Sequence, residues 1–130
     1  MITLEEVAGH WRLTAASVRA RISSGELRAV RVAGRLRTDW SDVWACESGR
    51  RPSLKNAARY RTKLLTKQDL AGRINISIRT VERWIDRGLP TRNVGTNGRI
   101  NQHDASDWLR RANGIELSAD GARISEYIDQ

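Results

Sequence analysis

Arg79 and Arg83 are spaced i, i+4, with Thr80 and Glu82 between them and Arg87 a turn further on. Two guanidinium forks at that spacing share one face of a helix. Each can hold phosphate oxygens, or the O6 and N7 edge of a guanine, through paired hydrogen bonds. Thr80 offers a hydroxyl to a phosphate, and Glu82 offers an acceptor to a cytosine amine. An earlier stretch sets Ala16, Ser17, Arg19, Ala20 and Ser23 at corresponding places. Its small residues permit close approach, with alanine methyls against a thymine methyl and Arg19 reaching a base edge. The alternatives are a solvated charged face for Arg79–Glu82–Arg83 and a protein-packing face for the alanine-rich stretch.

Bond-making chemistry has far less support. His10 and His103 are the only histidines and Cys46 the only cysteine. No phosphate loop, nucleophile elbow or metal-ligand spacing appears, so neither an enzyme nor a bound cofactor or metal is expected. Asp104 and Asp107 beside His103 read as charges at a helix start. No apolar run approaches the roughly 20 residues of a membrane span, and no basic-then-apolar leader opens the chain, so a cytoplasmic protein is expected.

The net charge of +8 is unevenly placed. Residues 48–63 carry six cations and no acid, whereas residues 114–130 carry one cation against four acids. Arginine makes up 20 of the 23 basic residues. A GC-rich genome alone would raise arginine, but it would not gather the charge between two similar segments.

Those segments are an internal repeat. Thr3-Leu-Glu-Glu-Val-Ala-Gly9 is matched by Thr66-Lys-Gln-Asp-Leu-Ala-Gly72, and Thr14-Ala-Ala-Ser-Val18 by Ser77-Ile-Arg-Thr-Val81. Ile22 and Gly25 match Ile85 and Gly88. In each copy a hydroxyl and a following acid (Thr3 with Glu6, Thr66 with Asp69) predict a capped first helix. Thr14 and Ser77 cap a second, whose core stripe is Val18 and Ile22, or Val81, Trp84 and Ile85. Gly25 and Gly88 stand where a left-handed residue ends it. Two β-prone stretches follow: Ala29–Val32 and Arg35–Arg37 through Ala33-Gly34, then Arg92–Val94 and Arg99–Asn101 through Asn97-Gly98. A last helix is predicted over 39–47 and 103–112, turning Trp44 and Trp108 inward. The five tryptophans read as core filler in a chain with no phenylalanine.

The order helix, turn, helix, hairpin, helix describes a winged helix-turn-helix. The sequence is therefore read as mainly α with small β-hairpins, in two tandem copies. The expected divisions are 1–47, a basic linker 48–63, a second copy 64–113 and an acidic tail 114–130. "LLTKQDLAGRINISIRTVERWIDRGLP" followed by a glycine-containing hairpin resembles the MerR/excisionase-type winged helix, especially that of lambdoid-phage terminase small subunits. "MITLEEVAGHWRLTAASVRARISSGELRAVRVAGRLR" resembles the excisionase/AlpA-type variant. It departs from the other copy at Arg21, where Trp84 stands, and at Ala15-Ala16.

In such a module the early part of the second helix enters the major groove. Wing cations lie along phosphates or in the minor groove. They would be Arg28, Arg31, Arg35 and Arg37 in the first copy, and Arg92 and Arg99 in the second. The linker's 16 residues reach about 55 Å extended or about 24 Å as a helix. Major-groove entries on one DNA face recur every ~34 Å, so neighbouring turns are within reach. Arg50, Arg51 and the other linker cations would then lie near the backbone. In the tail, Ile124, Tyr127 and Ile128 would share a helical face.

The resemblance implies a sequence-specific double-stranded DNA-binding protein of a mobile element, an excisionase-like architectural factor or a transcriptional regulator. Alternatives are a phage terminase small subunit and an adaptor whose first module binds protein. An integrase, a large terminase or RNA polymerase are the protein partners implied, with cooperative assembly on DNA open.

Overall fold

Thr3 and Thr66 begin their helices by the same exchange of hydrogen bonds. Thr3 Oγ1 accepts from Glu6 N and Glu6 Oε1 accepts from Thr3 N, both at 3.0 Å. Asp69 N donates to Thr66 Oγ1 at 2.9 Å, and Thr66 N donates to Asp69 Oδ2 at 3.0 Å. Each exchange satisfies two orphan donors at a helix start.

The computed structural model describes residues 1–113 and the residue pairs 117–118 and 121–122. Its order is β1 (Ile2–Thr3), α1 (Leu4–Trp11), α2 (Ala15–Ser23), β2 (Val30–Val32), β3 (Arg35–Thr38) and α3 (Trp40–Ala45). A 3-10 turn at Ala58–Arg61 precedes α4 (Lys67–Ile74), α5 (Ile78–Asp86), α6 (Gln102–Asn113), β4 (Leu117–Ser118) and β5 (Gly121–Ala122). The chain is thus mainly helical, with one three-stranded antiparallel sheet ordered β1-β3-β2 and a small β4-β5 ladder. β5 lies against α4. The apolar face expected of Ile124, Tyr127 and Ile128 lies outside the described residues. Among the described residues, no helix is long and apolar enough to cross a membrane.

The repeat is visible in matched ends. α1 and α4 each stop at a left-handed residue, Arg12 with φ 57° and Asn75 with φ 56°. Thr14 and Ser77 accept from Ser17 N and Thr80 N at the starts of α2 and α5. Gly25 and Gly88 follow those helices with φ 86° and 115°. The first hairpin turns through Ala33 and Gly34, both at positive φ (52° and 79°). That pair matches the twist of β2 and β3, and Gly34 takes it without the Cβ clash other residues meet. β1 adds to the far side of β3, pairing Ile2 with Thr38.

Two apolar cores form. One gathers Leu70, Ile74, Val81, Trp84, Ile100 and Leu109, with Trp108 packed on it at 5.9 Å from Trp84. The other gathers Val7, Trp11, Val18, Leu27 and Val43. It also takes Leu64 and Val94 from beyond the linker, so the second segment helps fill the first core. Trp11, Trp44 and Trp84 are buried, in keeping with their reading as filler.

The second hairpin differs from expectation. Its tight turn falls at Gly95-Thr96, where Val94 and Asn97 exchange both backbone hydrogen bonds at 3.0 Å, not at Asn97-Gly98. Its tip meets the first segment: a Cβ on Gly95 would stand 3.6 Å from Arg21 Nη1. Ser48 N donates to Asn93 O at 2.9 Å, and Asn93 N donates to Ser48 Oγ at 2.7 Å. It is a clasp over the first segment.

Residues 48–63 are a strap held along its length, neither an extended tether nor a helix. Arg59 pairs with Asp107 at 2.7 Å, and Tyr60 Oη donates to Asp104 Oδ1 at 2.7 Å. Trp44 Nε1 donates to Tyr60 O at 3.1 Å, and Leu64 N donates to His10 O at 2.8 Å. Asp104 and Asp107 therefore anchor the strap to α6, and Arg59 holds the Asp107 carboxyl below its ordinary range.

A second brace joins α1 to α4, where Arg12 grips Asp69 through two hydrogen bonds of 2.9 Å. Arg12 lowers the Asp69 pKa from the ordinary 3.8. A depressed carboxylate stabilises the fold above that ordinary value, and the contribution is lost as pH falls through the lower folded value. Asp69→Asn should therefore be less stable at neutral pH, by up to about 1 kcal/mol for so exposed a pair. Thermal melts along an acid titration should show the gap closing below pH 3.8. A gap that stays constant down to about pH 2 would remove Asp69's charge from the account.

Candidate nucleic-acid interface

α2 and the β2–β3 hairpin enclose a basic groove of about 510 Å³ beside the start of α1. Arg19 lines it from α2, and Arg31, Arg35 and Arg37 line it from the hairpin, with Ile22 and Leu36 among its apolar lining and Glu5 an acid at its rim. Arg35 and Arg37, two apart on β3, share one face of the ribbon; Arg31 stands opposite Leu36 and so on the other face, and its side chain lines the groove as well. Arg31 Nη1 donates to Gly34 O at 3.1 Å, and Arg37 Nη1 donates to Leu36 O at 2.9 Å. Each guanidinium is thereby oriented while keeping other N–H donors for an anion. Arg28 is exposed at the far side of the hairpin base, near Asp39 and Asp42. Ala16, Arg19, Ala20 and Ser23 are exposed along α2 and Ser17 is half-buried, while Val18 faces the core.

On α5, Arg79, Glu82 and Arg83 are exposed opposite Val81 and Trp84, and Arg87 is exposed at its C-cap. Glu82 pairs with Lys67 at 3.3 Å, so accepting from a base would require it to leave that lysine. Thr80 corrects the sequence reading. It is buried, its hydroxyl bonded to Ser77 Oγ at 3.0 Å and accepting from Arg83 Nη2 at 3.3 Å. One turn before Trp84, it lies on the inner edge of the stripe and positions Arg83; it does not reach outward.

Arg92 and Arg99 are the larger correction. Neither is a wing cation: both are buried at the seam between the two halves. Arg92 Nε donates to Glu47 Oε1 at 2.7 Å and its Nη1 to Arg50 O at 2.8 Å, with the guanidinium over the Tyr60 ring. Arg99 reaches back to the end of α1, donating to Trp11 O at 2.7 Å and Arg12 O at 3.0 Å. Those are carbonyls left over at a helix C-terminus, where a cation is favoured. Burial lowers the Arg99 pKa without stripping its charge.

Sequence reasoning passed over Glu47, which organises this seam. Its Oε2 accepts from Trp11 Nε1 at 2.9 Å and lies 2.7 Å from His10 Nε2. A carboxylate oxygen accepts, so the tautomer that fits this contact is the one with the His10 hydrogen on Nε2. Arg50 and Arg51 side chains are exposed, with Arg51 reaching Ser41 O at 3.4 Å. Thus Arg19, Arg31, Arg35 and Arg37 come together, Arg79, Arg83 and Arg87 share one exposed helix, and Arg92 and Arg99 serve the interior.

Comparison with family models, with curated proteins and with solved structures finds no match to this chain.

Proposed function

We propose that this chain is a sequence-specific double-stranded DNA-binding protein built from two winged helix-turn-helix units fused into one body. It acts as an excisionase-like architectural factor or a regulator of a mobile element. The observation that carries the reading is the groove between α2 and its hairpin, lined by Arg31, Arg35 and Arg37 of the β-ribbon and by Arg19 of the helix. Its cationic lining suits a phosphate backbone, and α2 beside it offers small residues for close approach to base edges. α5 supplies the second reading surface, with Arg79 and Arg83 as its principal base contacts. The second hairpin binds no DNA in this scheme and fixes the two helices relative to one another.

A random duplex pool tests this directly. The wild-type chain should enrich a defined sequence, and Arg79→Ala or Arg83→Ala should relax preference at one or two positions of it. Each loss should amount to about 1–3 kcal/mol, the discrimination of one bidentate arginine–guanine pair. Failure to retain any duplex at low salt, or enrichment unchanged in both variants, would overturn the reading.

A further inference from the structure

The strap presents a leucine that no folding argument requires. Leu54 is 99% exposed, the most exposed large apolar side chain among the described residues. It does not sit on a slack loop. Asn56 N donates to Ser53 O at 3.2 Å, closing a turn with Leu54 and Lys55 at its tip. Asn56 Oδ1 in return accepts from Ser53 N at 2.7 Å and lies 3.2 Å from Ser53 Oγ. The turn is anchored directly behind its tip by buried Ala57, and further on by the ion pair of Arg59 with Asp107. Along the strap on either side of Leu54 stand the exposed cations Arg50, Arg51 and Lys55.

We infer that Leu54 is a wedge that enters a base step of duplex DNA from the minor groove and kinks it. The inference rests on the DNA-binding reading above and adds a contact of a different kind. A protein-docking leucine normally lies within an apolar patch, whereas this one stands on a strap between exposed cations. Those cations complement phosphates, which flank a minor groove on both sides. An apolar side chain held there on a braced turn unstacks the step it enters and bends the duplex towards the major groove. Burial of one leucine and unstacking of one step are similar in size, so they nearly cancel in affinity. The wedge therefore shows itself in DNA shape.

A duplex of roughly 30 base pairs, recovered from the random pool with the wild-type chain and carrying a fluorescent donor and acceptor at its ends, reads that shape. At saturating protein the wild type should shorten the end-to-end distance as a bend of about 20–90° does. Leu54→Ala should bind within about tenfold of wild type yet leave the duplex nearly straight, and Leu54→Phe should restore the bend. Because Leu54 contacts nothing in the fold, both variants should melt as the wild type does. A wild-type complex that is straight, or Leu54→Ala bending as much as wild type, would overturn the wedge while leaving DNA binding intact. Absence of any wild-type complex would instead overturn the binding reading itself. Self-association of the free protein that disappears in Leu54→Ala would assign the leucine to a second copy and overturn the wedge.

Discussion

Glu47→Ala should unfold with about 3–5 kcal/mol less stability than the wild type in a denaturant titration, the usual cost of removing one partner from a buried ion pair. A chain of this size has on the order of 5–15 kcal/mol in total, so a large share is at stake. The reason is the number of groups that depend on one carboxylate. Arg92 Nε, His10 Nε2 and Trp11 Nε1 all lie within 2.9 Å of its oxygens. Both ion-pair side chains are almost wholly inaccessible, with 3% exposure for Arg92 and 0% for Glu47. Without Glu47 a guanidinium and two ring donors are left in a space water does not reach. Arg92→Met alone should also destabilise, by leaving Glu47 with ring donors and no cation. The double variant should be less damaged than the two losses added together, because each single change strands the other's charge. Single variants within about 1 kcal/mol of wild type would show that the seam is held by apolar contacts instead.

What could be read in the residues, and what could not, divides by sequence distance. Thr3 with Glu6 and Thr66 with Asp69 announce their helices because a capping box closes over three residues. Gly25 and Gly88 mark helix ends for the same local reason, and Ala33-Gly34 marks the first hairpin. Arg92 and Arg99 occupy hairpin positions equally well by local rules, and charged residues are mostly outside. Their burial is decided by partners far along the chain, Glu47 for Arg92 and the last carbonyls of α1 for Arg99. Nothing within a window of either arginine encodes those partners. The same tertiary demand moves the second turn to Gly95-Thr96, since Arg99 must aim at α1 while Asn97 Nδ2 donates to Val94 O at 3.1 Å. Thr80 fails differently: it sits at the margin of a correct stripe, and a small rotation of the helix decides its burial. One signal was present and unused. Glu47 is the single acid at the head of a segment with six cations, an arrangement that makes sense once that acid is inside.

The strap changes what the repeat can do. Two heads on a free tether would sample many separations, and the second would bind at an effective concentration that the tether length sets. Arg12 with Asp69, Arg59 with Asp107 and the Glu47 seam instead hold one separation. A body of fixed spacing does not have to lose tether freedom when it binds, and it accepts only one spacing of half-sites. In the proposed DNA-binding role, sequence preference and any bending would then depend on interior residues that touch no DNA.

That division gives the sharpest test of which arginines face DNA. Changing the four groove arginines Arg19, Arg31, Arg35 and Arg37 together to alanine should leave the melting temperature near that of wild type, because none of the four is buried. It should lower the slope of log K against log salt by about 3–4, since each neutralised phosphate contact contributes about 0.9. Between about 50 and 200 mM salt the wild type should therefore lose roughly 100-fold more affinity than this variant. Arg99→Ala should do the reverse. It strands the carbonyls of Trp11 and Arg12 and lowers the melting temperature. Once folded, it should bind with an unaltered slope, because Arg99 contacts no phosphate. Filter binding across a salt series, with a melt of each variant alongside, separates the two behaviours. A quadruple variant whose slope equals that of wild type would take the groove out of the interface. A slope lowered by Arg99→Ala would put the seam itself on the DNA, and the fixed-spacing account would fail with it.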